Sequence, residues 1–444
     1  MTHTFEALPH TLDEWLRLIE QRSPQRLIDL GLERVRAVAA RMGLRVAAPV
    51  FTVAGTNGKG SVCALLEAML RAAGWRTGVY TSPHLLRFEE RCRIDGANAA
   101  PQVLAAAFAR VEAARGEVPL TYFEFTTLGA LDAMLRAGVE ALILEVGLGG
   151  RLDAVNIVDA DCAILTSVGV DHTQLLGATR EAIGREKAGI MRAGRPAIIC
   201  DAQPPASVLA HAAAIGADAW LAGRDFTVQQ SGAQWVWAGR GQRVESLPLP
   251  ALPGAHQLGN AAGAIAALQA LKERLPVPEA ALRAGLLTAM LPGRLQVLPA
   301  SGEAPEMVLD VAHNPQAATV LAQALHALGA APRTHAVFGA MADKDVAGVL
   351  ACLDDVVDAW YFCDLPTPRA ASAGQVLEIW RGATKRVSEV AAATFASPAA
   401  ALDAAARACC SADRIALFGS FFTVAGVLTH GTPHITAGQG VQYR

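Results

Sequence analysis

The stretch that decides the fold is "VFTVAGTNGKGSVCALLEAMLRAAG", residues 50 to 74. Its apolar start predicts a buried strand ending at Ala54, and "SVCALLEAMLRAAG" predicts a helix with Gly74 as its cap. A glycine-rich turn joins the two. In this arrangement backbone N–H groups and the positive end of the helix dipole converge on the turn, which attracts phosphate. We therefore predict a phosphate-binding loop between strand and helix.

Lys59 lies between Gly58 and Gly60 in this loop. Its ammonium group would provide a compact cation for phosphate, and the glycines would let the backbone approach closely. The pattern departs from the usual G-x-x-x-x-G-K-[ST], because Gly60 separates the lysine from Ser61. An ordinary surface turn is the alternative, and the combination of strand, lysine and helix favours phosphate binding.

Length and composition restrict the class of protein. A chain of 444 residues with 52% hydrophobic side chains predicts two domains, with three as the alternative. A net charge of -3 gives no footprint for nucleic-acid binding, and no apolar run is long enough to span a membrane. The first residues lack a secretory signal, and the eight cysteines form no CxxC pair. We expect a cytoplasmic protein with reduced thiols.

Apolar runs alternate with helical segments along most of the chain, which predicts an α/β fold. The runs "PVFTVAG", "RTGVYTS", "ALILEVG", "CAILTSVG" and "RPAIIC" are typical of buried parallel strands. After residue 225, "DFTVQQSGAQWVWAG" and "QRVESLPLP" predict a small antiparallel subsheet, and a helix is expected at 260–275. The Pro- and Gly-rich segment 289–306 is the candidate linker. We expect a P-loop ATPase domain at 1–293 and a smaller Rossmann-like α/β domain at 294–444.

Three residues at the ends of predicted strands could bind magnesium: Ser82, Glu145 and His172. Magnesium beside a nucleotide needs hard oxygen ligands, and ligands of α/β sheets bind at the carboxyl ends of the strands. Each residue also has an ordinary interpretation. Ser82 could cap a helix or turn, Glu145 could be a paired buried carboxylate, and His172 could be a loop histidine. Glu145 carries the most weight, because burying an unpaired carboxylate within an apolar strand is very unfavourable.

Seven motifs occur in an order and spacing that resemble the folylpolyglutamate synthases, relatives of the Mur peptide ligases. They are "AGTNGKGS", "TSPHL", "LEVGLGGRLDA", "DHTQLLG", "REKAGI", "LPGR" and "DVAHNP". The segments "IDLGLERV" and "LTYFEF" further resemble the bacterial bifunctional form, which is also a dihydrofolate synthase. The resemblance covers roughly residues 12 to 430.

The resemblance implies a set of ATP and metal contacts. The ATP contacts it implies are Thr56, Asn57, Gly58, Lys59, Gly60, Ser61, Asn260, Arg294 and Asp310. It implies Ser82, Glu145 and His172 as magnesium ligands, joined by Lys187 if that lysine is carbamylated. The alternative for Lys187 is a solvated lysine paired with Glu186 or Glu181. The residues it implies for catalysis are Lys59, Lys187, His172 and Arg294. A monovalent cation is left open as a further cofactor.

The resemblance also implies a pteroate site. It would be built from Ile28, Asp29, Leu30, Thr121, Tyr122, Phe123, Glu124, Leu152, Asp153 and Ala154. A flat pterin fits an aromatic face and a carboxylate that accepts hydrogen bonds from ring N–H groups. Ordinary core packing is the alternative for Tyr122 and Phe123.

The glutamate site is less explicit in the sequence. His313 and Ser420 each follow a predicted strand of the C-terminal domain, where α/β sheets place ligand groups. Helix capping is an equally good interpretation of Ser420.

The expected reaction activates a carboxylate with the ATP γ-phosphate and then joins it to the amine of L-glutamate. The acceptors implied are dihydropteroate and reduced folates. We expect small-molecule partners only, a monomer, no nucleic acid and no membrane, with the C-terminal domain closing over ATP.

Three other functions are alternatives. A cell-wall Mur ligase uses the same chemistry, but no additional UDP-binding domain is evident ahead of the loop. A folylpolyglutamate synthase without dihydropteroate activity is the second alternative. The third is a nucleotide-dependent switch protein, in which hydrolysis drives a change of shape.

Overall fold

The computed structural model describes residues 8–23, 29–301, 304–384, 386–430, 433–436 and 440–443. The chain divides into two compact units. The first unit combines Met1–Ala251 with Gln257–Met290, and the second combines Leu252–His256 with Leu291–Arg444. The short segment before Gln257 therefore belongs to the second unit although the chain on both sides of it belongs to the first.

The first unit alternates strands and helices. Its helices are α1 (Leu12–Arg22), α2 (Glu33–Arg41), α3 (Lys59–Ala72), α4 (Pro101–Arg115), α5 (Tyr122–Arg136), α6 (Thr173–Leu176), α7 (Arg180–Ala188), α8 (Ala206–Ile215), α9 (Gln257–Ala270) and α10 (Glu279–Thr288). Two 3-10 helices span Phe88–Arg91 and Ala154–Ile157. Its strands are β1 (Val50–Ala54), β2 (Thr77–Tyr80), β3 (Cys92–Ile94), β4 (Ala97–Asn98), β5 (Ala141–Glu145), β6 (Cys162–Leu165), β7 (Pro196–Ile199), β8 (Asp218–Leu221), β9 (Phe226–Ser231), β10 (Gln234–Gly239) and β11 (Gln242–Pro248).

The large sheet of the first unit has the order β4-β3-β2-β5-β1-β6-β7-β8. Strands β2, β5, β1, β6, β7 and β8 are parallel, while β3 and β4 join the β2 edge antiparallel. Every residue of β1, β5 and β6 is buried. This agrees with the prediction from their apolar runs that helices cover both faces of these strands. The loops after β1, β5 and β6 therefore lie side by side at one edge of the sheet.

The segment after residue 225 forms the predicted antiparallel subsheet, in the order β11-β10-β9. Trp235 and Trp237 alternate with more exposed neighbours on β10 and are fully buried. The indole Nε1 of Trp237 donates a hydrogen bond to the carbonyl of Ala262, 3.1 Å away in α9. This bond fixes the subsheet against the helix that carries Asn260.

The second unit has its own sheet, in the order β12-β13-β17-β14-β15-β16. Its strands are β12 (Gln296–Leu298), β13 (Glu306–Leu309), β14 (Thr334–Phe338), β15 (Ala359–Cys363), β16 (Ala391–Phe395), β17 (Arg414–Phe418), β18 (Pro433–Thr436) and β19 (Gly440–Tyr443). Its helices are α11 (Pro315–Ala327), α12 (Val346–Ala351), α13 (Ala373–Ala383), α14 (Pro398–Ala408) and α15 (Phe421–His430). Strands β13, β17, β14, β15 and β16 are parallel, and β18 pairs only with β19 among the described residues.

Two sequence predictions differ from the structure. The helix expected at 260–275 begins earlier, at Gln257, and ends at Ala270. The candidate linker at 289–306 contains β12, which pairs antiparallel with β13. Pro292 and Gly293 form a turn before this short edge strand and Pro299 follows it, while Leu295, Val297 and Leu298 supply the apolar surface with which the segment joins the sheet. None of the helices in the described ranges is long and apolar enough to cross a membrane.

Close packing against α10 holds helix α3 in place. A Cβ atom added at buried Gly285 of α10 would lie 2.6 Å from the backbone of Met69 and 2.5 Å from its Cγ. Since real Cβ contacts are not that short, the two helices approach as closely as they do only because residue 285 has no side chain. The helix that follows the glycine-rich loop is thus fixed at its far end by a glycine contact.

We expect Gly285→Ala to lower the free energy of unfolding by about 1 to 3 kcal/mol, because the added methyl group overpacks the contact with Met69. The matched control is Gly259→Ala in α9, where nothing lies within 4 Å of an added Cβ. That change should be neutral or stabilise by about 0.5 to 1 kcal/mol. Urea unfolding of both variants is the measurement, and equal midpoints for the two would contradict the assigned packing.

Candidate active site

The loop between β1 and α3 needs glycine at two positions. Gly55 has φ +155°, and a Cβ there would lie 1.8 Å from the hydroxyl oxygen of Thr166. Gly58 has φ +87°, and a Cβ there would lie 2.7 Å from Oδ1 of Asn260. Both side chains pack against the loop backbone in the space that a side chain would need. The glycines therefore let the loop lie directly against β6 and α9.

Hydrogen bonds from the end of β6 fix the shape of this loop. Thr56 N–H donates to the Ser167 carbonyl at 2.7 Å, and Asn57 N–H donates to the Ser167 hydroxyl at 3.1 Å. The Thr166 hydroxyl donates to the Asn57 carbonyl at 2.6 Å. These hydrogen bonds fix the loop. The first N–H groups of α3 lie directly after it and lack acceptors within the helix.

Asn260 joins the loop through a chain of side chains. Its Nδ2 donates to Gln257 Oε1 at 2.9 Å, and Gln257 Nε2 donates to the Ser61 hydroxyl at 3.2 Å. The sequence-predicted ATP contacts Thr56 to Ser61 and Asn260 thus lie together in the first unit.

Two lysines donate to one carbonyl oxygen. Lys59 Nζ lies 3.1 Å and Lys187 Nζ lies 2.8 Å from the carbonyl of Gly55. Lys187 is only 5% exposed, and burial, followed by the charge of Lys59, lowers its pKa to about 7. The carboxylates of Asp171 and Asp153 act in the opposite direction. A substantial share of Lys187 is therefore the neutral amine near neutral pH.

The alternative of a solvated Lys187 is wrong. Glu186, its proposed partner, forms an ion pair with Arg151 at 2.9 Å. Glu181, the other proposed partner, accepts hydrogen bonds from the backbone of Ala206 and Ser207 at 3.0 and 2.7 Å. The side chain of Lys187 instead points inward, to the glycine-rich loop. The spacing of residues on a short polar helix could not predict this direction.

Ser82 and Glu145 meet at the ends of adjacent strands. Glu145 is the last residue of β5 and is 5% exposed, and its carboxylate accepts the Ser82 N–H at 3.1 Å. A carboxylate and a hydroxyl beside a glycine-rich loop are hard oxygen donors, the kind magnesium prefers. These two residues fit a magnesium site.

His172 occupies a different setting. It is the N-cap of α6 with φ +52°, and its imidazole Nε2 lies 4.0 Å from Oδ2 of Asp171. About one third of its side chain is exposed. The loop that carries it follows β6, at the same edge of the sheet as Glu145.

A cavity of about 250 Å³ gathers most of the residues predicted for the pteroate. Those that line it are Asp29, Leu30, Thr121, Phe123, Glu124, Leu152, Asp153 and Ala154. Its wall also includes Gly31, Ser82, Pro83, Arg91, Gly147 and Leu148. Because Ser82 contacts both this cavity and Glu145, the cavity adjoins the candidate metal ligands.

One described member of the predicted set is not part of this wall. Tyr122 is not among the described lining residues; its ring packs edge-on against Phe88 at 6.4 Å, with the Arg91 guanidinium 5.7 Å from its centre. Core packing, the alternative for Tyr122, therefore describes its position. Ile28 lies outside the described residues.

Asp153 is the buried carboxylate of the cavity. It is 2% exposed, and its oxygens accept the N–H groups of Leu148 at 2.8 Å and Val155 at 3.0 Å. Burial raises the pKa of this carboxyl to about 6, against the lowering effect of those hydrogen bonds and of Lys59. Lys59 is thus close enough to Asp153 for the loop and the cavity to share one electrostatic environment.

Arg34 is a cavity-side residue that sequence reasoning missed. Its guanidinium forms ion pairs with Asp29 at 2.8 Å and with Glu124 at 3.0 Å. Glu124 also accepts the Thr121 N–H at 2.8 Å and so caps α5. Arg34 links the segment at residues 29–31 to the start of α5, and an arginine on a polar helix gave no signal for this.

Arg91 is the second residue that was missed. Its Nε donates to Nδ1 of His84 at 2.8 Å, and its guanidinium lies 5.5 Å from the ring centre of Phe88. Burial, and then the charge of Arg91, lowers the pKa of His84 to about 4, so this imidazole is neutral and can accept. The guanidinium of Arg91 therefore contributes a positive charge to the wall of the cavity.

The second unit holds the remaining predicted residues. The guanidinium of Arg294 lies 4.9 Å from the ring centre of Phe421. Asp310 accepts the N–H groups of Leu295 and Ala312, each at 2.7 Å, and burial raises its pKa. Asp310 thus ties the residue before β12 to the residues after β13, while Arg294 packs on the first residue of α15, so each residue has a structural function as well.

His313 and Ser420 follow the neighbouring parallel strands β13 and β17. His313 Nδ1 lies 2.8 Å from the Val311 carbonyl. Ser420 is 5% exposed, and its hydroxyl accepts the Phe422 N–H at 3.2 Å, as the capping interpretation predicts. The two residues share the carboxyl edge of the second sheet.

Comparison with known proteins agrees with this arrangement. Residues 53–268 match the family "Mur ligase middle domain", and residues 293–421 match "Mur ligase, glutamate ligase domain". The chain is 46% identical over 419 residues to the dihydrofolate synthase/folylpolyglutamate synthase of Escherichia coli (strain K12), with 94% of both chains covered.

Solved structures give the same result. The structure of E. coli FolC in complex with DHPP and ADP has a TM-score of 0.88 at 45% identity and covers 96% of this chain and 98% of its own. A bifunctional folylpolyglutamate synthase/dihydrofolate synthase with Mn, AMPPNP and L-glutamate bound has a TM-score of 0.87 at 44% identity. It covers 96% of this chain and 99% of its own.

The glycine-rich loop, the carboxylate at the end of β5 and the two matched domains define an ATP-dependent ligase of the Mur type. The predicted α/β architecture is confirmed by these structures. The chain belongs to the bifunctional dihydrofolate synthase/folylpolyglutamate synthase family.

The raised pKa of Asp153 predicts a pH-dependent contribution to stability. Its carboxyl binds a proton more tightly in the folded state, so it stabilises the fold below its ordinary pKa of 3.8 and this contribution disappears as pH rises to about 6. The change amounts to as much as about 3 kcal/mol. Asp153→Asn removes the titrating group at nearly constant shape.

The measurement is urea unfolding of the wild type and Asp153→Asn at several pH values. The difference between their unfolding free energies should shift against the wild type as pH rises from about 4 to about 6. Any constant change that the new amide group makes to the unfolding free energy does not affect how the difference between the two proteins changes with pH. A flat difference across the window would mean that Asp153 titrates normally.

Proposed function

We propose that the chain uses ATP to add L-glutamate to the carboxylate of dihydropteroate and of reduced folates. The observation that carries this is the cavity, whose wall shares Ser82 with the Glu145 carboxylate and whose Asp153 is within electrostatic range of Lys59. An acceptor in this cavity would lie beside both a phosphate-binding loop and a magnesium-type donor set. The ligands named for the two structural relatives are of the same kinds.

The ATP phosphates would bind the loop of the first unit. The backbone of Thr56 to Gly60 and the hydroxyl of Ser61 surround the start of α3, and Lys59 supplies the cation. Asn260 packs on Gly58 and so limits where the loop can move. Arg294 and Asp310 are proposed as further ATP contacts of the second unit on the strength of the resemblance.

Glu145, Ser82, His172 and a carbamylated Lys187 are the proposed magnesium ligands. Bound there, Mg²⁺ would neutralise the negative charge of the phosphates. An unmodified Lys187 would oppose the cation, whereas a carbamate adds an anionic oxygen. The low pKa of the Lys187 amine supports the modification, because only a neutral amine attacks carbon dioxide.

The reaction would proceed in two steps. A carboxylate oxygen of the acceptor attacks the γ-phosphorus, the bond to the bridging oxygen breaks, and ADP leaves. The neutral amine of glutamate then attacks the acyl carbon, phosphate leaves, and the amide forms with loss of one proton. Neither step needs a nucleophile from the protein. The chain's contribution is to position the reactants, to balance charge through Lys59 and Arg294, and to exclude water.

The pterin would lie against Phe123 with Asp153 as acceptor for its ring N–H groups. Asp153 can accept a further hydrogen bond, because its two oxygens offer about four lone-pair sites and the backbone N–H groups of Leu148, Val155 and Gly147 use three of them. Asp29, Leu30, Thr121, Glu124, Leu152 and Ala154 complete the cavity. Tyr122 supports the wall from behind, and His313 and Ser420 are proposed for glutamate.

We propose residues 1–293 as the domain that binds ATP and pteroate, and residues 294–444 as the glutamate-ligase domain. The family matches at 53–268 and 293–421 support this division. We propose a cytoplasmic monomer, supported by eight free cysteine thiols.

Phosphate release should depend jointly on Mg²⁺, on an acceptor acid and on L-glutamate. Lys59→Ala should lower turnover about 100-fold or more, because a cation at the developing phosphate charge is lost. Lys272→Ala removes an exposed lysine of the same unit and should keep wild-type turnover. The measurement is phosphate release with dihydropteroate and with a reduced folate as alternative acceptors.

Three outcomes would contradict this proposal in whole or in part. Steady phosphate release without acceptor or glutamate would favour a nucleotide switch. Turnover with reduced folate alone would leave only the folylpolyglutamate synthase activity. Wild-type turnover in Lys59→Ala would remove the assignment of the loop.

Lys187 should form a carbamate with carbon dioxide at neutral pH. With carbon-13-labelled bicarbonate, the wild type and Lys272→Ala should show a carbamate signal by NMR, and Lys187→Ala should not. Acetate should restore part of the lost activity of Lys187→Ala by supplying a free carboxylate. A carbamate signal that persists in Lys187→Ala would assign the modification to another amine.

A further inference from the structure

A cluster of three metal-ligating side chains lies in the second unit, away from the residues discussed so far. His335 is the second residue of β14, Asp413 immediately precedes β17, and Cys409 follows the end of α14. One ligand atom from each lies within 4.8 Å of the other two. Since β14 and β17 are parallel neighbours, His335 and Asp413 lie at the amino edge of this sheet. Asp310 and Ser420 lie at the opposite, carboxyl edge.

The imidazole of His335 has an unused nitrogen that points into this cluster. Its side chain is 2% exposed, and Nε2 has no hydrogen-bond partner. That atom lies 3.7 Å from Oδ2 of Asp413, which is too long for a hydrogen bond. Two ligand atoms on a tetrahedral zinc ion lie about 3.4 Å apart, so the observed separation nearly matches shared coordination.

The other nitrogen of His335 is held as a metal-binding histidine requires. Nδ1 lies 3.1 Å from the hydroxyl of Tyr361 on β15. In the tautomer whose Nδ1–H donates to this hydroxyl, Nε2 presents a lone pair toward the Asp413 carboxylate, and a cation between the two groups would bind both. A hydrogen bond at the nitrogen that does not bind the metal, like that of Nδ1 with Tyr361, is typical of metal-binding histidines and fixes the orientation of the ring.

Two carboxylates and one guanidinium lie near His335. Asp413 is 5% exposed and accepts the Cys410 N–H at 2.8 Å, which fixes its carboxylate. Asp358 adds a second negative charge near His335, and Arg333 adds one positive charge. Cys409 is partly exposed, so solvent can occupy a fourth ligand position.

We propose that His335, Cys409 and Asp413 bind a zinc-type divalent cation. Imidazole and thiolate ligands select borderline-soft ions such as Zn²⁺ over the hard Mg²⁺ that the ATP site requires. The site ties the end of α14 to the amino ends of β14 and β17. It stabilises the second unit and takes no part in the ligase chemistry.

Cobalt binding to the full-length protein tests this site. A thiolate bound to Co²⁺ gives a charge-transfer absorption in the near ultraviolet that oxygen and nitrogen ligands alone do not give. With excess Mg²⁺ present, the chelator-treated wild type should show this band, and Zn²⁺ should abolish it. Cys409→Ser should remove the band while turnover with Mg²⁺ and ATP stays unchanged. Cys352→Ser, which removes a partly buried thiol of the same unit, should keep both the band and the turnover.

Tyr361→Phe provides a second test that leaves all three ligands in place. Loss of the hydrogen bond to His335 should weaken Co²⁺ binding about 10-fold, with the thiolate band retained at saturation. Absence of the band in the wild type would overturn the proposal, as would a band that survives in Cys409→Ser or disappears only in Cys410→Ser. Cobalt that binds without a thiolate band would be an adventitious ion only, and this too would overturn it.

Discussion

The carbonyl oxygen of Gly55 accepts hydrogen bonds from two lysines, and the arrangement of the first unit depends on this shared contact. Lys59 comes from the loop itself, whereas Lys187 reaches it from α7. Two ammonium groups on one oxygen repel each other, and this repulsion adds to burial in lowering the pKa of Lys187. A phosphate-binding loop needs positive charge, but a buried cation beside the proposed magnesium ligands would be unfavourable. An amine that can lose its proton, as Lys187 can, meets both requirements.

Strong local patterns in the sequence predicted the sheets and the loop. Buried parallel strands are unbroken apolar runs because helices cover both of their faces, and the alternation in "DFTVQQSGAQWVWAG" and "QRVESLPLP" predicted the subsheet. The positions of Arg34, Arg91 and Lys187 could not be obtained in this way. Each is a charged residue on a short polar segment, where solvent exposure is the usual outcome, and its inward contact depends on partners distant along the chain. The motif resemblance supplied Lys187 but not the two arginines.

Several polar residues of the candidate site also satisfy backbone groups. Asp153 accepts backbone N–H groups of its own loop, Glu124 caps α5, and Asp310 ties the residue before β12 to the residues after β13. Replacing any of them would therefore disturb the fold in addition to the ligand contact proposed for it. This explains why capping and substrate contact could not be separated by sequence for Ser420, where the hydroxyl caps α15 in the structure. Activity measurements on such variants need a stability control.

The hydrogen bond between Gln257 and Ser61 joins residues that are 196 positions apart. On a ribosome that adds about 5 to 20 residues per second, the start of α3 waits roughly 10 to 40 seconds for this partner. Helices α9 and α10, which cover α3, are synthesised only after the sheet and subsheet of the first unit. The face of α3 that packs against α9 and α10 therefore gains its partners only late in synthesis.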